Sequence, residues 1–369
     1  MLRLVGIQAD FYSAFRRIRD PLVHTNARPG IRYQRPLGIE GVVQETRAVS
    51  IPRMSLPFVS VVVPTFNRPD ALRGCIGALL GQGYPKDRYE VIVIDDGSTE
   101  PHAGRLAEAA AMPGVSFRHQ ANRGPAAARN HGARIAQGTL LAFTDDDCRP
   151  APTWLPRLAA ASATAPTTAF GGLTVNAVDG DVCADATQLL IDYLYGYYEQ
   201  KPGAFFTSNN LVMPRNAFLA LGGFDESMRL AGAEDRELCG RWLRHGHRLT
   251  FVGDAVVHHW HPLTLRTFWR QHFTYGRGAL HYRRRRARWA NDRVRPEPMA
   301  FYRDLIAYPL SRRRTVTSAM LLALSQIANA TGFLFEATTS TGAKLEERPL
   351  MTHHANRTTR WDAPWDGRR

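Results

Sequence analysis

Between residues 58 and 147 the chain alternates short apolar runs with helix-like stretches, and three of the runs stop at polar clusters. Phe58-Val59-Ser60-Val61-Val62-Val63 is closed by Pro64, Tyr89-Glu90-Val91-Ile92-Val93-Ile94 by Asp95-Asp96-Gly97-Ser98, and Leu140-Leu141-Ala142-Phe143 by Asp145-Asp146-Asp147. Such β-branched, largely apolar runs suit strands covered on both faces, as in a parallel sheet. Helices are expected from Pro69 to about Gln82, over 101–111 and over Pro125–Ala136, with a further strand at Val115–His119. Pro69 suits a first helical turn, where its missing N–H has no intrahelical partner. Strands alternating with helices of about a dozen residues imply βαβ units. Ligands of such sheets sit beyond the carboxyl ends of the strands, which is where the polar clusters fall. The expected fold class is α/β, a Rossmann-like, mostly parallel sheet flanked by helices.

Composition narrows the function. Apolar residues make up 44% of the 369 and charged ones 22%, which excludes a wholly disordered chain. The net charge of +14 favours an anionic partner, whether nucleic acid, a phosphorylated small molecule or a membrane surface. The four cysteines form no CxxC pair, so a disulfide framework and a zinc ribbon are not expected, and reduced thiols fit a cytosolic compartment. The first 20 residues lack a continuous apolar core, so no secretory signal is expected. Residues 1–56 read as an N-terminal extension. The alternation loosens from 151 to 262, apart from a helix expected over 234–245, and a basic, aromatic segment with Arg283–Arg286 follows.

Three adjacent carboxylates at a strand end are costly unless cations or donors sit beside them. Asp145-Asp146-Asp147 therefore reads as a site for a hard divalent ion that bridges to a diphosphate, or as a solvated acidic turn. Asp95–Ser98 can receive a base N–H or simply start a helix. Arg129, in a stretch of small residues, can pair with an anion or with the acidic cluster. Glu234-Asp235 opens a helix, so the pair is either dipole-favoured or contains a general base. Among His258, His259 and His261, an imidazole can join the same ion.

Thr315 to Phe335 carries no formal charge and, as a helix, would be about 31 Å long, enough to cross a bilayer. Ser318, Ser325 and Asn329 nevertheless fall on one helical face, and Met320, Leu324, Ile327 and Leu334 on another. We favour a helix lying on a membrane or packed on the catalytic domain over a true span. Arg283–Arg286 and Arg312–Arg314 would then face anionic headgroups.

Six motifs occur in order: the Phe58–Leu72 strand and turn, Ile94–Ser98, Asn122–Gly132, Phe143–Cys148, Gly222–Glu226 and Glu234–Leu238. Together they resemble the family 2 nucleotide-sugar glycosyltransferases of GT-A fold, over roughly residues 57–285. The resemblance implies inverting, metal-dependent transfer from a nucleoside diphosphate-sugar, taken as a UDP-sugar, to a hydroxyl of a glycan or lipid-linked acceptor. It divides the chain into a nucleotide-binding half (57–150), an acceptor half (151–285) and a C-terminal helical region with a polar tail (286–369). It implies that Pro64, Thr65, Asn67, Arg68, Asp96, Arg129, Asp145 and Asp146 contact the nucleotide, with Asp96 reading the base. It makes Asp147 a direct ligand of Mn²⁺ or Mg²⁺, with Asp145 near ribose and metal and His259 or His261 beside them. Asp235 becomes the catalytic base, and Gly172, Asn210, Glu234 and Trp242 fall on the substrate and acceptor side. The Gln-x-x-Arg-Trp signature of processive polymerases is not met, because Arg241-Trp242 lacks the preceding Gln, so one or a few transfers are expected. A catalytically silent scaffold of the same fold, or a basic nucleic-acid-binding protein, is the alternative. Nucleic acid is not expected as a partner, since no reading module accompanies the arginines. The expected location is the cytoplasmic face of a membrane, held peripherally or by a single C-terminal span.

Overall fold

In a computed structural model, residues 56–163, 165, 167–199, 203–228, 232–290, 296–311 and 315–339 are described. Residues 1–55 of the N-terminal extension, Arg312–Arg314 and the polar tail after 339 lie outside them. The expected alternation is present: β1 (Val59–Thr65), α1 (Pro69–Leu80), β2 (Tyr89–Asp95), α2 (His102–Ala110), β3 (Val115–His119), α3 (Pro125–Ile135) and β4 (Leu140–Phe143). There follow β5 (Cys148–Pro150), α4 (Trp154–Ser162), β6 (Thr168–Asn176), α5 (Val182–Tyr198), β7 (Leu211–Pro214) and α6 (Arg215–Ala220). The chain continues through α7 (Glu234–Arg244), β8 (Arg248–His259), α8 (Leu265–Ala290), α9 (Met299–Ser311) and α10 (Val316–Thr339). The segment 151–262, which shows no clear period in the sequence, thus supplies three more strands.

The strands form one eight-stranded sheet in the order β3-β2-β1-β4-β7-β6-β8-β5. β1, β2, β3 and β4 are parallel, β7 is antiparallel to both β4 and β6, β8 is parallel to β6, and β5 is antiparallel to β8. Six strands therefore share one direction, and Thr65, Asp95, Asn176 and His259 all finish at the same end of the sheet. The sequence reason is visible in β1. Val59, Val61 and Val63 pack with Leu72 and Ile76 of α1 on one face, while Val62 packs with Ala128 and Ala133 of α3 on the other. Alternate side chains of a strand point to opposite faces, so burial on both requires an apolar run rather than an alternating one.

The C-terminal helices are joined to this body by two smaller cores. Leu189, Leu190 and Tyr193 of α5 meet Phe301 and Leu305 of α9 and Leu322 of α10, and Phe268 of α8 meets Leu321 of α10. Helices α8 and α10 also approach backbone to backbone. A Cβ on Gly276 would overlap the Asn329 carbonyl, and one on Gly332 would overlap that of Phe273. Gly276→Ala is expected to lower stability. The intrinsic helix preference for alanine, about 1 kcal/mol, is opposed by overpacking of about 1–3 kcal/mol, and here the obstacle is backbone that cannot rotate away. Denaturant unfolding of the two proteins measures the sign, and a more stable alanine variant would mean that the helices do not touch there.

Candidate active site

The acidic triplet bends the chain from β4 into β5, and strand pairing decides what it faces. β5 pairs with β8 so that Cys148 lies opposite His259, and the Trp260 N–H donates to the Asp147 carbonyl at 2.8 Å. This register brings the Asp147 carboxylate to 3.3 Å from His259 Nε2 and 3.1 Å from His261 Nδ1, the two rings stacking 5.3 Å apart. Arg68, from the loop after β1, closes the corner with contacts of 2.7 Å to Asp147 and 2.6 Å to Asp146. Burial works against charge on Asp147, but hydrogen bonds to His259 and His261 and the nearby Arg68 cation hold its carboxyl well below the usual range. For His259, burial disfavours the cation while Asp147 more than compensates, so that ring is raised. Cys148 adjoins Asp147 and His259, their ligand atoms lying within 4.8 Å of one another, but burial pushes its thiol well up and keeps the proton on sulfur.

Asp146 behaves differently from its neighbours. It is fully buried, accepts from Thr65 Oγ1 at 2.7 Å and is pushed up to about 7, chiefly by burial. It ties the end of β1 to the triplet and does not line the cavity.

Arg129 projects from α3 and is buried between two acids, 2.6 Å from Asp145 and 3.2 Å from Glu234. It links the triplet to the start of α7. The other Glu234 oxygen accepts from the N–H groups of Gly232 at 2.7 Å and Ala233 at 3.0 Å, so this carboxylate is fully engaged. Asp235 is not. One of its oxygens accepts from the Arg236 N–H at 2.7 Å, and the other has no donor among the described residues. Burial, followed by the charge of Glu234, pushes Asp235 up to about 7. A cavity of about 610 Å³ has Arg68, Asp147, His259 and Asp235 on its walls, together with side chains of α5, α8, α9 and α10.

The remaining residues named from the sequence are distributed as follows. Pro64 lies within β1, and Asn67, at φ 57°, accepts from the Thr99 N–H at 3.0 Å, joining the loops after β1 and β2. Asp96 is buried and accepts from Gln120 at 2.8 Å, the Arg123 N–H at 2.9 Å and the Gly124 N–H at 2.8 Å, which fixes the turn into α3. These groups sit at the carboxyl ends of β1 and β2 but do not line the cavity. Gly172, Asn210 and Trp242, expected beside the substrate, are packed behind it. A Cβ on Gly172 would overlap the Ala255 carbonyl, and Asn210 accepts from Trp154 Nε1 at 2.9 Å and donates to the same carbonyl at 3.2 Å. Trp242 is wholly buried and donates to the Arg248 carbonyl at 2.9 Å. Their neighbours Ser208 and Asn209 reach the cavity instead.

Sequence reasoning did not find Arg236. Its guanidinium lies 4.8 Å from the Tyr198 and Phe205 ring centres and 5.0 Å from that of Tyr282, on the cavity wall next to Asp235. The only local signal was its place after Glu234-Asp235, because the three rings come from distant parts of the chain.

The raised Asp235 carboxyl has a consequence for stability. A folded value of about 7 against an ordinary 3.8 means the native state binds this proton more tightly than the unfolded chain. Stability from this site is therefore greatest below pH 4 and is lost as pH rises toward 7. Asp235→Asn is expected to raise the melting temperature at pH 8 and to leave it nearly unchanged at pH 4. Equal shifts at both pH values would mean that the carboxyl titrates normally.

Comparison with known proteins gives the chain several relatives. Residues 60–220 match Glycosyl transferase family 2, and residues 153–339 match Glycosyl transferase family group 2. The chain is 39% identical over 106 residues to glycosyltransferase AglE of Haloferax volcanii, covering 28% of this chain and 34% of that one. It is 30% identical over 227 residues to the pre-mycofactocin glycosyltransferase of Mycobacterium tuberculosis, covering 60% and 46%. Thus it spans less than half the length of these two curated relatives. Among solved structures, the mannosyltransferase PcManGT from Pyrobaculum calidifontis, in complex with GDP-Man and Mn²⁺, aligns with a TM-score of 0.49 at 23% identity, covering 77% of this chain and 81% of that one.

Proposed function

The chain belongs to the family 2 glycosyltransferases, and from that premise we propose that it moves a sugar from a nucleoside diphosphate-sugar to an acceptor hydroxyl with inversion at the anomeric carbon. One observation carries the reading: a carboxylate with an open oxygen, Asp235, shares a cavity with the Asp147–His259–His261 cluster, and Arg129 joins their sequence neighbours Glu234 and Asp145.

The donor set fits a divalent ion. A carboxylate that stays ionised and two imidazoles offer mixed oxygen and nitrogen ligands, which suit Mn²⁺ better than Mg²⁺. Asp147, His259 and His261 would hold it, with Asp145 close by but facing Arg129. When bound, the ion supplies positive charge that offsets the charge gathering on the departing diphosphate.

The protein's own groups do the rest. Arg68 and Arg129 provide fixed cations on the cavity wall, where preorganised charge costs no reorganisation during the reaction. Asp235 takes the proton from the acceptor hydroxyl as that oxygen attacks the anomeric carbon opposite the leaving diphosphate. The new C–O bond forms while the bond to the diphosphate breaks. A carboxyl near 7 suits this work at neutral pH, because a base is most effective with its pKa close to the operating pH. A UDP-sugar as donor and a glycan or lipid-linked acceptor complete the proposal.

Asp235→Asn is expected to reduce transfer about 10²–10⁴-fold while donor affinity stays near that of the wild type. Turnover within a few-fold of normal would remove Asp235 from the reaction. In calorimetry, Asp147→Ala is expected to abolish the Mn²⁺-dependent part of donor binding, and unchanged donor affinity with Mn²⁺ would contradict the assigned ion site.

A further inference from the structure

Helix α10 buries polar side chains beside its apolar ones and leaves large apolar side chains exposed. Its one ionisable residue, Glu336, is turned inward, 2.7 Å from Arg277 and 3.0 Å from His281 of α8, and Ser318 and Ser325 are buried as well. Outward it presents four large apolar side chains, Val316 at 66% exposed, Met320 at 67%, Ile327 at 55% and Leu334 at 62%, interspersed with exposed threonines but no charged residue. At 100° per residue these four fall within about 40° of one another around the helix, a single stripe running most of its length. Phe335 continues the surface onto α8, where its ring meets Phe273 at 5.6 Å, and Leu265 and Trp269 lie exposed about two turns and one turn before Phe273 on the same side.

Charge identifies what this stripe meets. Residues 263–339 contain fourteen arginines, no lysine and four acidic residues, so +10 of the net +14 falls in the stretch of sequence that includes the stripe. Arg312-Arg313-Arg314 immediately precede α10 in the sequence, and Arg303 of α9 is exposed. A second copy of the chain would set two such basic regions against each other. Nucleic acid would match the arginines but leave the aliphatic stripe in water. A bilayer with anionic headgroups matches both, since apolar side chains enter the acyl boundary while arginines meet phosphates.

We propose that the outward stripe of α10, continued by Leu265 and Trp269 of α8, seats the protein on an anionic membrane, with α10 lying in the interface. The opposite side of α10 is packed on α8, α9 and α5, so the helix is not a free-standing span.

Flotation of the full-length chain with phosphatidylcholine vesicles, with and without 30 mol% phosphatidylglycerol, tests this. The wild type is expected to float with the anionic vesicles at least tenfold more than with the neutral ones, and to lose most of that binding in high salt. The M320D/I327D double variant changes only exposed positions. It is expected to float at least tenfold less while its circular dichroism and melting temperature match those of the wild type. Wild type left in solution with anionic vesicles would overturn the proposal, as would a folded variant that floats equally well. A wild-type dimer that the variant abolishes, with no flotation of either, would assign the stripe to a second copy instead.

Discussion

The buried Arg129 holds the candidate site together. It touches both the acidic triplet and the start of α7, and it does so from α3, an element of the N-terminal strand–helix alternation. A buried ion pair contributes little net stability, because the desolvation of each charge offsets the attraction between them. Its value here is geometric. With one guanidinium between Asp145 and Glu234, neither carboxylate can move without stranding a buried charge. Glu234 is further pinned by two backbone N–H groups, so Asp235, the next residue, is held at a fixed point of the cavity. Two adjacent acids thus divide the labour: one spends all its hydrogen-bonding capacity on position, and the other keeps an oxygen open.

The same division appears in the triplet. Asp146 is spent on Thr65 and Arg68 in a dry interior, Asp145 on Arg129, and Asp147 on two imidazoles and Arg68. Three carboxylates in a row are tolerable because each is directed to a different cation or donor. The directing element is the short strand β5. By pairing with the last residues of β8 it sets Asp147 beside His259 across more than a hundred residues of sequence.

That long-range pairing marks the limit of what the sequence discloses. The strand–helix alternation up to Phe143 is legible because each strand is covered on both faces and each helix shows an apolar side. Asp147 is legible because adjacent carboxylates at a strand end are chemically conspicuous, whereas Asp235 stands out only through the family resemblance, since acids in a first helical turn are common. The strands β6 and β8 are harder to see. Their glycines at 171, 172 and 253 and a register shift after Gly172 break the apolar run that betrays β1 and β2. Asn210 and Trp242 resemble binding residues in one dimension, yet Trp154, Ala255 and Arg248, contributed by other elements, absorb their hydrogen bonds. Arg236 is the converse, an unremarkable arginine until three remote aromatic rings close around it.

The polar groups on the inner side of α10 follow from its surroundings. Gln326 and Asn329 lie on the cavity wall, so part of the face turned toward the protein must be polar if the cavity is to hold a hydroxylated substrate. A helix whose inner face is partly polar gives up much of the hydrophobic driving force that normally docks a helix. Here docking relies on other contacts: glycine-mediated backbone approach at Gly276 and Gly332, the Glu336 link to Arg277 and His281, and small apolar clusters around Leu321 and Leu322. Val316, Met320, Ile327 and Leu334 are left on its outer side, and a surface of that kind is stable when something other than water covers it. A partly polar cavity wall and an apolar exterior are thus two aspects of one packing choice.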